Sequence, residues 1–148
     1  MKKIFLDANI LIDILDDSRP ASKESAKLFE MLVRGVGSFL LFTSCDLLTT
    51  VYYITSKPLG KAIALEKIKK LNRVVNVIEF GNAEIVEAIE LMERNEKYAD
   101  LEDTIQYVMA RKAKCDYIIT NDSTFASGDV PVLSAVEAIE VLQSSRVI

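Results

Sequence analysis

Asp7 closes the apolar run Ile4-Phe5-Leu6, and Asn9 follows two residues later. Asp46 stands just after Thr43-Ser44, at the end of a second apolar run, Phe39 to Phe42. Asp122 follows Thr120-Asn121 after a third run, Tyr117-Ile118-Ile119. Asp100-Leu101-Glu102-Asp103 opens the helical stretch that precedes that third run. In open parallel sheets, ligands bind beyond the carboxyl ends of the strands, near the switch in strand order. At least three of these carboxylates could therefore converge on one edge. Like charges that close cannot all stay ionised unless a cation sits among them. Oxygen donors without His or Cys suit Mg2+ or Mn2+. Such ions serve phosphoryl chemistry by polarising a phosphate and activating a bound water.

Each acid also has an ordinary reading. Asp7 could cap a following helix. Asp100 and Asp103 flank a helix start, where acids favour the macrodipole. Asp122 could be a turn residue. Capping alone does not readily supply three carboxylates at three separate element ends on one edge.

The elements that must position these residues follow from apolar periodicity. Strands are expected at Ile4–Leu6, Phe39–Phe42, within Val74–Phe80, at Tyr117–Ile119 and at Val130–Leu133. Pro131 puts the last of these at a sheet edge. Helical spacing runs through Ile10, Leu11, Ile14 and Leu15, then from Ser22 to Arg34, where Gly35 and Gly37 stop it. Thr43 or Ser44 is expected to cap a helix carrying Leu47, Leu48, Val51, Tyr52 and Ile54, with a turn at Pro58 and Gly60. Further helices are expected over Ile63–Leu71, over Ala83–Arg94 with Ile85, Ile89 and Met92 on one stripe, and over Leu101–Lys114. Ser134 should cap a last helix through Gln143, leaving Ser144–Ile148 to fray. Strands alternating with helices imply an α/β protein whose parallel sheet is covered on both faces.

The 148 residues fit one domain, 1–148, and half of them are apolar, enough for a core without disulfides or structural metals. With 18 basic against 22 acidic residues, overall charge does not favour coating DNA. The chain contains no histidine, which excludes a Ser-His-Asp triad, His-based RNA cleavage and His-ligated zinc. Cys45 and Cys115 sit in apolar surroundings and read as buried thiols of a reducing compartment. Asp7 and Asn9 interrupt the first apolar stretch too early for a signal peptide. No run approaches the roughly 18–20 apolar residues of a membrane span, so a cytoplasmic protein is expected.

Three segments carry a resemblance to a known family. They are Ile4-Phe5-Leu6-Asp7-Ala8-Asn9-Ile10-Leu11-Ile12-Asp13, Asp100-Leu101-Glu102-Asp103-Thr104-Ile105-Gln106-Tyr107, and Cys115-Asp116-Tyr117-Ile118-Ile119-Thr120-Asn121-Asp122-Ser123-Thr124-Phe125. In this order and spacing the chain resembles the PIN domain, the fold of the VapC-type toxin ribonucleases. The resemblance implies a three-layer αβα fold with a five-stranded parallel sheet of order 3-2-1-4-5. It also implies a metal-dependent endoribonuclease leaving 5′-phosphate and 3′-hydroxyl ends. Asp7, Asp103 and Asp122 match the family's first, third and fourth acidic positions, as catalytic residues and ligands of Mg2+ or Mn2+. Asn9 and Thr120 would orient ligands and water, Asn121 lies beside them, and Asp100 matches an accessory acid. The family's second acid is usually a Glu six residues past the serine ending strand two, and counting from Ser44 reaches Thr50. Asp46, four residues earlier, lies on the same helix face and is a candidate substitute, the alternative being that it only stabilises the first turn of that helix. An antitoxin partner and a homodimer are further implications, the latter joined by the apolar, aromatic helix around Leu47–Ile54.

Six basic residues, Lys57, Lys61, Lys67, Lys69, Lys70 and Arg73, stand against the single acid Glu66 and could contact an RNA backbone. The ordinary alternative is a solvated helix face. Two other functions compete. A phosphatase of the haloacid dehalogenase type would match Asp7 and Thr43, but it needs a general acid where this chain has Asn9. A PIN-fold module that binds RNA or a partner protein without cutting accords with Thr50.

Overall fold

The computed structural model describes residues 1–35 and 37–143. The fraying expected of Ser144–Ile148 lies outside the described residues. Five parallel strands form one sheet: β1 (Lys2–Leu6), β2 (Phe39–Ser44), β3 (Val75–Ile78), β4 (Tyr117–Ile119) and β5 (Val132–Leu133). Their order is β3-β2-β1-β4-β5, as the family resemblance implied. Seven helices fill the connections: α1 (Ala8–Leu15), α2 (Ser22–Arg34), α3 (Cys45–Leu59), α4 (Lys61–Leu71), α5 (Asn82–Arg94), α6 (Leu101–Lys112) and α7 (Ala135–Gln143).

The apolar second half of the central strand is buried because both faces of the sheet are covered there. Ile4, Phe5 and Leu6 are fully buried, and Phe5 lies between Phe42 of β2 and Ile118 of β4. α1 packs on α2 and α3, and α2 packs on α7. α5 packs on α6, which lies against β2 and β4. The sheet order switches at β1 and β4, so the carboxyl ends of these strands form the crevice where ligands are expected.

Local chemistry shifts several boundaries. β5 begins at Val132 rather than Val130. Pro131 has no N–H for the ladder, yet its carbonyl accepts from the Ile118 amide at 2.9 Å. α3 runs through Pro58 and ends only at Gly60, whose φ of 85° turns the chain into α4. A proline in the last turn forfeits one helical hydrogen bond, a smaller disruption than in mid-helix. Neither Thr43 nor Ser44 caps α3 through its side chain. The Thr43 hydroxyl donates to the Leu6 carbonyl at 3.0 Å, and the Ser44 hydroxyl donates to Asp46 at 2.5 Å. Ser134 does cap α7: its Oγ accepts from the Glu137 amide, and Glu137 accepts from the Ser134 amide. The apolar stripe of α5 centres on fully buried Ala88, with Ile85 and Met92 half-buried and Ile89 at its exposed margin. Cys115 is buried and its thiol is pushed up to about 12 by burial, whereas Cys45 is only half-buried; both are free thiols.

The loop between Asp122 and β5 is held against α6. The Tyr107 hydroxyl donates to Asp129 at 2.6 Å, and the Tyr107 and Tyr98 rings stack with centroids 5.6 Å apart. Gly128 approaches this pair so closely that a Cβ would stand 2.5 Å from the Tyr107 oxygen and 3.1 Å from that of Tyr98. Gly128→Ala must push both stacked rings, so it is expected to destabilise by about 1–3 kcal/mol. Urea unfolding checks this, and an unchanged midpoint would show that the loop yields freely.

Candidate active site at the carboxyl edge of the sheet

Asp7 is the first residue past β1 and the N-cap of α1. Its amide donates to the Ile119 carbonyl at 3.0 Å, fixing it against the end of β4. One carboxylate oxygen accepts from the Ala8 amide at 2.6 Å. The other accepts from the Asn9 amide group at 3.0 Å and the Thr120 hydroxyl at 2.7 Å. Asn9 also donates to Thr120 Oγ1 at 2.8 Å, and its Oδ1 accepts from the Asn121 amide at 3.0 Å. The Asp122 amide donates to Thr120 Oγ1 at 3.1 Å. The ends of β1 and β4 are thus joined by one polar network with Asp7 at its centre.

Asn121 turns its side chain away from that centre. Its Nδ2 donates to Asp13 and Ser25, and its Oδ1 accepts from the Ala135 amide at 3.0 Å. Buried Asp13 also pairs with Arg19 at 2.7 Å. These residues tie α1, α2 and the start of α7 together behind the cleft.

The other acids come from helix starts and from the loop. Asp100 is the N-cap of α6 and accepts from the Asp103 amide at 2.9 Å. Asp122 accepts from the amide and hydroxyl of Thr124 at 2.9 and 2.7 Å. Capping and turn roles are therefore real for Asp7, Asp100 and Asp122, and they coexist with a shared electrostatic field. Burial pushes the Asp7 carboxyl above its ordinary range, opposed by the bonds from Thr120 and Ala8 and reinforced by the charge of Asp122. Asp103 is pushed up to about 7, first by burial and then by the charges of Asp100, Asp7, Asp122 and Glu102. Glu102 is raised by burial and then by Asp46, Asp7 and Asp100.

Asp46, its side chain held by Ser44, thus adds its charge to the field on Glu102. Thr50 lies one turn further along α3, where its hydroxyl leans back on the Asp46 carbonyl at 3.4 Å. The sequence motif contains Glu102 but assigns it no role. Three successive polar residues at a helix start do not reveal which of them face a cleft. Gln106 was missed for the same reason. It is fully buried, one turn beyond Asp103 on the same helix face.

Among the described residues, no three acidic side chains close on a single point. The expectation that their oxygens already stand close enough to share a cation is therefore not met by this arrangement. Asp7 and Asp122 direct oxygens into hydrogen bonds with Ala8, Thr120 and Thr124, and like charges favour separation. The residues still fit a hard divalent ion. Their donors are all oxygens, the charge of Asp103 is disfavoured by four neighbours, and the Gln106 carboxamide beside Asp7 has neither polar atom paired.

A group raised above its unfolded value binds protons in the native state that the unfolded chain has released. Ion-free stability should therefore fall as pH rises from about 4 to about 7, then level off. Asp103→Asn removes this penalty. Allowing for solvent screening, it should stabilise the ion-free protein by about 1 kcal/mol, roughly 2–4 °C in Tm, at pH values above 7. The gain should vanish near pH 4. Thermal unfolding in chelator checks this, and a gain independent of pH would rule out the charge account.

The six basic residues lie on α3, α4 and the turn after α4. Among the described residues none of them forms an ion pair with an acid. Lys57 sits over the Tyr53 ring at 4.2 Å. Lys67 and Lys70 line an apolar groove with Ile14 and Leu15 of the last turn of α1, whereas Asp7 caps its first turn. Lys67 and Lys70 thus lie toward the other end of α1 from Asp7.

A family model described as PIN domain matches residues 3–124. Ribonuclease VapC1 of Aquifex aeolicus (strain VF5) is 44% identical over 139 residues, 94% of each chain. Among solved structures, VapBC2 from Rickettsia felis, bound to a DNA fragment from its promoter, aligns with a TM-score of 0.69 at 16% identity. The alignment covers 89% of this chain and 98% of that one. VapC20 of Mycobacterium tuberculosis, a toxin that cleaves the sarcin-ricin loop, aligns with a TM-score of 0.63 at 16% identity over 78% and 86%.

Proposed function

The chain belongs to the PIN-domain family, and from that membership we propose that it is a metal-dependent endoribonuclease of the VapC toxin type. The observation that carries the metal-dependent chemistry is the mutual field of Asp7, Asp103 and Asp122, three carboxylates from three elements at one strand-end cleft. The 44% identity to a ribonuclease supports the choice of RNA as substrate.

Asp7, Asp103 and Asp122 would hold Mg2+ or Mn2+, with Asp46 and Glu102 on the side of the second acidic position. When bound, the ion polarises a phosphate and lowers the pKa of a coordinated water. Thr120 and Asn9 both donate to the same Asp7 oxygen and so fix the plane of that carboxylate. Burial and the neighbouring charges push Asp103 up to about 7, so holding a cation would require its ionised form and binding should release protons. With no histidine in the chain, no imidazole is available to accept a proton.

The test is incubation of the purified protein with single-stranded RNA. Mn2+ or Mg2+ should yield fragments with 5′-phosphate and 3′-hydroxyl ends, and a chelator should stop the reaction. If no divalent metal supports cleavage, the nuclease reading falls, and a PIN-fold module binding RNA or a partner protein takes its place.

An antitoxin is the proposed protein partner, supported by structural neighbours solved as toxin–antitoxin assemblies from Rickettsia felis and Klebsiella pneumoniae. Among the described residues no helix is long and apolar enough to cross a membrane, in keeping with the proposed cytoplasmic location. Tyr53, Ile54, Ile63 and Leu65 leave large apolar surface exposed on α3 and α4. We expect this face to join a homodimer. Light scattering at micromolar concentration should give twice the 16.5 kDa chain mass; a monomer refutes it.

A further inference from the structure

α6 is buried from Thr104 through Ala110, a run of seven residues in which Gln106 is fully enclosed. Neither the nitrogen nor the oxygen of its carboxamide has a hydrogen-bond partner. An enclosed amide without partners is costly, and an apolar side chain of similar volume would avoid the cost. The side chain lies one turn from Asp103, on the same face of a helix that packs against β2 and β4. Its carboxamide lies beside the Asp7 carboxylate without completing a hydrogen bond of ordinary geometry. Asp7 already has donors in Ala8, Asn9 and Thr120. Gln106 approaches the same carboxylate from the core.

We propose that Gln106 is a positioning residue, whose buried carboxamide donates to Asp7 from beneath and aligns it when a divalent cation occupies the cleft. The inference rests on the metal-dependent reading above and deepens it. Outer-shell donors to a ligating carboxylate set its orientation, and removing one typically weakens metal affinity about 10–100-fold. A purely structural glutamine would act differently. Its loss would move folding and metal binding in the same direction, whereas an orphaned amide kept for the ion-loaded state moves them oppositely.

The experiment measures Mn2+ binding by calorimetry and by the electron paramagnetic resonance signal of free Mn2+. It uses the full chain as wild type, Gln106→Met, Gln106→Leu and Asp7→Asn, with ion-free melting temperatures alongside. Both Gln106 variants should melt at or above the wild type without metal, yet bind Mn2+ about 10–100-fold more weakly. Either variant folds into an apolar setting, so failure of one leaves the other to decide. If the wild type binds Mn2+ and Asp7→Asn does not, while both Gln106 variants match the wild type, the positioning role is overturned and the metal reading stands. If the wild type itself binds no Mn2+, both fall together.

Discussion

Asp7→Asn is expected to lower RNA cleavage by about 100-fold or more while the protein stays folded. Loss of an outer-shell partner alone costs about 10–100-fold, and Asp7 is placed to act as a ligand itself. Asparagine keeps the volume and one oxygen, so the Ala8 amide still finds its acceptor and α1 keeps its cap. What disappears is the buried charge at the meeting point of β1 and β4. Two stability effects oppose each other: relief of a desolvated charge, and mispairing with the Asn9 and Thr120 donors. The change in ion-free Tm should therefore be small against the loss of activity. Initial rates with Mn2+, read beside circular dichroism, check this. Activity within tenfold of the wild type would remove Asp7 from the site.

The second large effect concerns the missing second acid. Asp46→Ala should weaken Mn2+ binding about 10–100-fold, with a matching loss of cleavage. Thr50→Glu should change either quantity far less. Asp46 is held by the Ser44 hydroxyl and adds its charge to the field on Glu102, whereas the Thr50 hydroxyl turns back onto its own helix. Glu102→Gln should weaken binding in the same direction. In the double variant with Asp46→Ala, the two losses should not add, because the residues share one side of the cleft. Titration of Mn2+ into the four proteins decides the matter. A strong gain from Thr50→Glu would mean instead that the second position stands vacant.

These acids were readable in the sequence because strand ends and helix starts are marked by abrupt changes from apolar to polar residues. Asp7, Asp103 and Asp122 lie at such changes, and the parallel sheet puts such ends on one edge. Strand order is not encoded in periodicity, and it came from the likeness of three motifs to a known family. The second acid was harder, because counting six residues from Ser44 assumes a glutamate's reach. The shorter Asp46, one turn closer to the sheet and held by that same serine, is the proposed substitute. Glu102 and Gln106 escaped because spacing places residues on a helix face but does not say what lies opposite. Ser44 is the N-cap residue of α3 as its position suggests, but neither hydroxyl bonds to the first turn, because a hydroxyl takes the strongest acceptor in reach, here the Leu6 carbonyl and the Asp46 carboxylate.

Asp7, Asp100 and Asp122 each perform a structural duty in addition to facing the cleft, as two helix caps and a turn. Among the described residues, Glu102 makes no hydrogen bond and no ion pair. Selection on folding alone would therefore retain the first three long after catalysis had been lost. In any lineage released from the need to cut RNA, Glu102 would drift early and Asp7 late. An intact Asp7 in a relative is then weak testimony of activity, whereas an acid kept at the position of Glu102, which gives the fold only a small helix-dipole contribution, is the stronger sign that the chemistry persists.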